Sequence, residues 1–356
     1  MLYQTTNPHG GDVYGSDIAI DFSASINPLG IPQGVISAMK EALAFADHYP
    51  DPYCREAVSA ISEYEGIPAE DILLGNGAAE LIYAFCDVVK PRKALIAVPT
   101  FSEYETALRN IECRIIHHYL HQENDFALDS NFLSAIETHK PDVIFLCDPN
   151  NPTGRLIDPH LMNEILSLCA KSGFYLFMDE CFMELTGKSS GLNTCPGSHS
   201  GLFLLKALTK CYALAGIRVG YCLSSDHALL HRMSQQVQPW NVSVLAQAAA
   251  AAAMKERDYL QNSTAFISTE REFLSTELKK YGFYVCPSDA NFILFRAHAE
   301  LGDELRKKGI AIRSCENFSG LGRGWFRIAV RTHHENETLI RTIRDISALF
   351  HTTQEG

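Results

Sequence analysis

The sequence predicts an α/β fold: a large domain around a mostly parallel central sheet, followed by a smaller α+β domain. Three observations predict it. From about residue 69 to 225, short β-rich runs alternate with helical patterns, as βα units on one sheet require. Four of those runs are nearly unbroken apolar stretches, the pattern of strands covered on both faces. After about residue 257 a long polar helical pattern gives way to short strands mixed with helices.

Residues 1–44, rich in Gly, Pro and Asp, are expected to form an arm packed on the smaller domain. Residues 45–256 form the expected large domain and 257–356 the small one. The apolar runs Ala94–Val98, Val143–Cys147, Phe174–Met178 and Leu202–Leu205 are predicted as buried strands. Helical spacing covers Ala78–Val89, Phe101–Asn110 and Pro159–Lys171, each opened by a Gly, Pro or Asp signal. An alanine-rich helix is predicted around Gln247–Met254, and the polar helix Arg257–Tyr281 links the lobes. Phe283–Cys286, Asn291–Phe295, Ile310–Arg313 and Phe326–Val330 read as the small domain's strands. Functional residues are expected where strands end and helices begin.

With 356 residues, 46% of them hydrophobic and 20% charged, the chain has the composition of a packed globular protein. A net charge of −12 argues against nucleic acid or an anionic membrane as the main partner, so an anionic substrate needs a local arginine cluster. The first residues lack a basic start and an apolar core, and no apolar run approaches the roughly 18 residues of a membrane span; a cytoplasmic location is expected. The eleven cysteines show no Cys-x-x-Cys spacing and are expected as buried free thiols, without a metal site. His117-His118 and His333-His334 are expected as solvated pairs.

One segment carries the most chemistry. Thr209-Lys210 is followed, eight positions after the lysine, by Arg218. A lysine amine attaches the aldehyde of pyridoxal 5'-phosphate, and an arginine fork clamps its phosphate. Alone, the segment fits a surface lysine and a structural arginine equally well. Four others join it. Gly75-Asn76-Gly77-Ala78-Ala79 opens a helix whose free N–H groups form a phosphate cradle, although Gly-Asn-Gly is also an ordinary turn. Tyr104, just beyond a strand, offers a ring to stack on a pyridine face; core packing is the alternative. Asp148-Pro149-Asn150-Asn151-Pro152-Thr153-Gly154 is a rigid turn aiming an asparagine amide at the sheet edge. Asp179 ends a buried run, where a carboxylate can keep a pyridine nitrogen protonated.

In this order the segments resemble the fold-type I pyridoxal-phosphate enzymes, over nearly the whole chain. The resemblance is to the histidinol-phosphate aminotransferase subgroup, and more closely to the threonine-phosphate decarboxylases of cobalamin synthesis. It implies a fold-type I transferase fold, with Lys210 as the attachment lysine, Asp179 as the pyridinium partner, Asn151 as the phenolate donor and Tyr104 as the stacking ring. Gly77, Ala78, Thr209 and Arg218 would hold the phosphate, and Tyr49 would reach it from a neighbouring subunit of a homodimer. Three positions before Lys210 both families usually carry a hydroxyl, where this chain has Ala207.

Both chemistries share one cofactor site, so the groups that orient the substrate select the reaction. If the strand at 326–330 continues, Arg327 and Arg331 lie four apart on one face, suiting a substrate with a carboxylate and a phosphate. One substrate arginine plus one surface arginine is the alternative. The decarboxylase resemblance rests on His9-Gly10-Gly11, Ser23 to Gly30 with Asn27, Ile312 to Phe318 with Arg313, and Arg327 to Arg331. Phe182 stands where the aminotransferases usually have tyrosine. The resemblance therefore implies decarboxylation of L-threonine O-3-phosphate, with Arg327, Arg331, Arg313, Asn27 and His9 as substrate binders. An aminotransferase for histidinol phosphate or an aromatic amino acid, and a decarboxylase of L-serine O-phosphate, remain the alternatives.

Overall fold

A computed structural model describes residues 9–14, 17–188 and 201–352. Thirteen strands are described: β1 (Ile20–Asp21), β2 (Ile72–Gly75), β3 (Lys93–Val98), β4 (Arg114–Tyr119), β5 (Val143–Cys147), β6 (Tyr175–Asp179), β7 (Leu202–Ala207), β8 (Gly220–Leu223), β9 (Tyr284–Val285), β10 (Phe292–Arg296), β11 (Ile310–Ala311), β12 (Arg313–Ser314) and β13 (Trp325–Ala329). Seven of them form one sheet in the order β2-β8-β7-β6-β5-β3-β4, parallel except for β8, which runs antiparallel to both neighbours. A mostly parallel sheet in an α/β fold is thus what the alternating pattern encodes.

β5 is buried at every position, as its uninterrupted apolar run requires. Helix 78–89 follows β2, and its Leu81, Ile82, Phe85 and Cys86 are buried. Phe85 meets Phe145, Phe177 and Phe203 from three adjacent strands, with ring centroids 6.1, 5.0 and 4.8 Å away. Helix 159–172 starts on Asp158, whose carboxylate accepts from the N–H groups of His160 and Leu161, with Pro159 at the first helical position. These contacts fix the strand ends that carry the site.

Strands β12-β13-β10-β9 form an antiparallel sheet, and β1 of the N-terminal arm pairs in parallel with β11. The single strand expected over Ile310–Arg313 is therefore two short ones in different sheets. Helix Arg257–Lys279 runs from the large sheet's region to β9, burying Leu260, Ile267, Leu274 and Leu278. The ten described cysteines are all buried and unbonded.

The paired histidines depart from expectation. His117 lies 3.1 Å from Glu105, while His118 packs edge-on against Phe132, because successive residues of β4 face opposite sides. His333, in contrast, is half exposed and reaches Glu270 at 3.0 Å. Among the described residues no helix is long and apolar enough to cross a membrane.

Candidate active site

The carboxyl ends of β5, β6 and β7 open onto a cavity of about 400 Å3, closed on the other side by the arm and by β12 and β13. Ala78, Asn151, Asp179, Thr209, Lys210 and Arg218 line one part of it, and His9, Arg313 and Arg327 the other. Nine of the fourteen residues expected from the sequence therefore line one cavity directly.

Lys210 sits on a one-turn helix, Leu208–Cys211, directly after β7. Burial, then the positive charge of Arg327, pushes its ammonium down to about 8, so a sizeable share of the amine is unprotonated near neutral pH. A neutral amine is the form that attacks a carbonyl.

Asp179 ends β6 and is fully enclosed. Burial pushes its carboxyl up, and three donors partly offset this: the Cys181 thiol and backbone N–H and the Tyr104 hydroxyl. The Cys181 N–H lies 2.9 Å from Oδ1 and the Tyr104 hydroxyl 2.5 Å from Oδ2. A buried carboxylate of this kind is stabilised by a cationic partner, as a protonated pyridine nitrogen would be.

Asn151 accepts a hydrogen bond on Oδ1 from Arg327, leaving its amide N–H groups as donors toward the cavity. Its turn is held by Asn150, which donates to the Pro99 carbonyl at 2.9 Å and accepts from the Thr100 hydroxyl at 2.8 Å. Arg327 also donates to the Ser23 carbonyl at 3.1 Å.

The phosphate cradle is legible in the glycines. Gly77 has φ +79°, and a Cβ there would lie 2.5 Å from Arg218 Nη2. Only glycine lets the arginine approach the start of helix 78–89, where free N–H groups and the helix dipole favour an anion. A Cβ on Gly220 would likewise strike the Ala78 nitrogen at 2.8 Å. Ala207 lines the cavity beside Thr209 and adds no hydroxyl to the cradle. The donor set still fits a pyridoxal phosphate: an amine, a buried carboxylate, an amide and an anion cradle.

Four expected site residues lie elsewhere, and Gly77 acts by making room. Tyr104 is wholly buried inside helix 103–110, with its hydroxyl on Asp179 and its ring stacked on Phe145 at 5.4 Å. Phe101, two residues before that helix, lines the cavity instead. The same Pro99-to-Tyr104 segment contains both rings, but Phe101 precedes the helix and Tyr104 lies within it. Asn27 is buried against the lysine turn and does not line the cavity. Arg331 lies beyond the end of β13 and is engaged by Glu335 at 2.7 Å, so the same-face argument does not extend to it. Its place is taken by Arg313, which sits directly opposite Arg327 across antiparallel β12 and β13. Tyr49 is 78% exposed and stacks on Trp240 at 4.4 Å, outside the cavity. His9 reaches Glu103 at 2.8 Å, and that bond holds the Glu103 carboxyl below its usual range.

With this geometry in hand, the aminotransferase class I and II family model matches residues 17–344. The chain belongs to that family. Its cofactor is accordingly pyridoxal 5'-phosphate. This aminotransferase-class chain is 33% identical to the threonine-phosphate decarboxylase of Salmonella typhimurium (strain LT2), over 95% of its own length and 96% of the relative's. It is 31% identical to the histidinol-phosphate aminotransferase of Methanothermobacter thermautotrophicus, over 94% and 91% of the two chains. Among solved structures, the histidinol-phosphate aminotransferase from Clostridium acetobutylicum is similar with a TM-score of 0.86 and 31% identity, covering 92% of this chain and 98% of that one.

Proposed function

We propose that this enzyme decarboxylates L-threonine O-3-phosphate to 1-amino-2-propanol O-2-phosphate, in the cytoplasm, as a step of cobalamin synthesis. The observation that carries the reading is the Arg313–Arg327 pair. Like charges directly opposite on neighbouring strands destabilise a sheet, so two arginines held there at a cavity, Arg313 with Asn317 Oδ1 at 2.7 Å beside it, favour an anion between them. Burial also lowers both guanidinium pKa values, Arg327 to about 10, which marks the desolvation that an anionic partner relieves. A phosphorylated amino acid supplies two such groups, a carboxylate and a phosphate.

Held by Lys210, Asp179, Asn151 and the cradle at Gly77, Ala78, Thr209 and Arg218, the cofactor would supply an electron sink for a bond to the substrate Cα, and the protein's orientation of the substrate would select which bond. Arg313 and Arg327, with His9, hold the substrate so that the bond to the carboxylate takes that position. Asp179 keeps the proton on the ring nitrogen. The carboxylate leaves as CO₂, and Lys210 Nζ delivers a proton to Cα before the product amine departs. Phe182, which carries no hydroxyl, lies with its ring centroid 5.8 Å from Lys210 Nζ, a contact consistent with a decarboxylase.

Aminotransfer on histidinol phosphate is the second reading, favoured by the comparable identity of the aminotransferase relatives. L-Serine O-phosphate is a further substrate to test, since one methyl group gives only about 10–200-fold discrimination. The exposed Tyr49–Trp240 stack, with Leu43, Phe45 and Tyr53 also exposed, supports a homodimer in which Tyr49 reaches the neighbouring cradle.

The arginine assignment has a direct test in steady-state kinetics. Arg313→Ala raises KM for L-threonine O-3-phosphate about 10–100-fold, the loss of one charge-assisted contact, while the visible band of the bound cofactor stays unchanged. Arg331→Ala changes KM by less than about threefold, as a surface pair would. An unchanged KM in Arg313→Ala contradicts the substrate reading.

A further inference from the structure

The turn that carries Lys210 is short and needs outside support. A helix leaves its last four carbonyls without internal partners, so the four residues Leu208–Cys211 satisfy few of their own. Asn27, far away in sequence, supplies donors to two of these carbonyls, of which that of Lys210 otherwise accepts a long bond from the Ala213 N–H at 3.4 Å. Its backbone N–H donates to the Lys210 carbonyl at 3.0 Å, and its Nδ2 donates to the Cys211 carbonyl at 2.8 Å. The same Nδ2 donates to the Ser263 hydroxyl at 2.8 Å, and Oδ1 accepts from the Leu29 N–H at 3.1 Å. Asn27 is 3% exposed, so every polar group it carries is spent on this junction and none is offered to a substrate.

The junction closes on itself. Ser263 donates to the Tyr259 carbonyl at 2.7 Å, the Tyr259 hydroxyl donates to the Gly30 carbonyl at 2.5 Å, and the Gly30 N–H donates back to the Asn27 carbonyl at 3.2 Å. Tyr259 also stacks on Tyr212, two residues beyond Lys210, with ring centroids 5.9 Å apart. Arm, lysine turn and long helix are thus tied at one asparagine.

We propose that Asn27 is a positioning residue that fixes the Lys210 turn, setting where Nζ meets the cofactor aldehyde rather than binding substrate. The inference rests on Lys210 being the attachment lysine. Precise placement of a nucleophile governs its rate steeply, so loosening the turn slows attachment before it weakens substrate binding.

The test uses apoprotein mixed with pyridoxal phosphate, following growth of the visible band and, after borohydride reduction, the mass of the Lys210 peptide. Asn27→Ala slows attachment about tenfold and shifts the pH midpoint of the visible band, while KM for the phosphorylated amino acid stays within about twofold. A wild-type attachment rate and midpoint in Asn27→Ala, with only a lowered Tm, overturns the proposal. Should that variant fail to fold, Asn27→Asp keeps the size and the backbone bond but loses the donor to Cys211; unaltered attachment there overturns it equally. Absence of label on Lys210 in the wild type overturns the attachment reading itself, and the proposal with it.

Discussion

Lys206→Met lowers the unfolding free energy by about 3–5 kcal/mol, the cost of removing one partner from a buried charge cluster. Lys206 lies on β7, four residues before Lys210, and its side chain is 4% exposed. Its ammonium stands 2.6 Å from Glu184, 3.3 Å from Glu65 and 3.7 Å from Glu180. Burial alone would depress its pKa, but the carboxylates of Glu184, Glu180 and Glu65 outweigh that and hold it well above the usual value. The folded-state pKa is therefore raised above the unfolded one. The stabilisation is fully present below the unfolded pKa of about 10.4, and is lost only as pH rises through the still higher folded value. Methionine removes the ammonium that faces Glu184, Glu65 and Glu180, two of which lie near β6 and Asp179 in sequence. Urea unfolding of apoprotein reads the loss as a lower midpoint. A midpoint shift worth less than about 1 kcal/mol would show that the cluster contributes little.

In the proposed mechanism Lys210→Ala removes both the attachment amine and the proton carrier, and turnover falls by at least about 10²–10⁴-fold, the usual size of a proton-transfer contribution. The variant keeps its fold, because the alanine turn retains the backbone bond to Asn27. A pH profile adds a sharper signature. With the Lys210 ammonium pushed down to about 8 by burial and by Arg327, covalent attachment of cofactor to apoprotein accelerates as pH rises through about 8 and then levels. An ordinary lysine would give a rise centred near 10.4 instead. Arg327→Met, by removing the adjacent cation, moves the midpoint upward.

Much of this was readable in the residues themselves. Helix 78–89 and strand β5 fall at the ends predicted for them, because a glycine turn and an apolar run are local signals. Lys210, Asp179, Asn151 and Thr209 share a cavity because each lies at or just beyond a strand end that the pattern marks, and Arg218 joins them just before β8. What escaped depends on partners distant in the chain. The resemblance names Arg313, but its place opposite Arg327 is a matter of strand register, which spacing within β13 cannot reveal, so the sequence reading pairs Arg327 with Arg331 instead. Tyr104 and Phe101 differ only by where the helix begins, and Tyr104 points back to Asp179 rather than into the cavity. Asn27, named as a substrate binder from the resemblance, is committed instead to the Cys211 carbonyl 184 positions away, a partner that only the folded chain brings to it.

In the proposed reaction the two arginines orient a phosphorylated amino acid for loss of its carboxylate. Incubating the holoenzyme with L-threonine O-3-phosphate, with and without 2-oxoglutarate, and measuring CO₂ and keto acid together tests it most directly. One CO₂ released per substrate consumed, with no keto acid in either case, is the predicted result. Rapid keto-acid formation that requires 2-oxoglutarate, without CO₂ release, contradicts it.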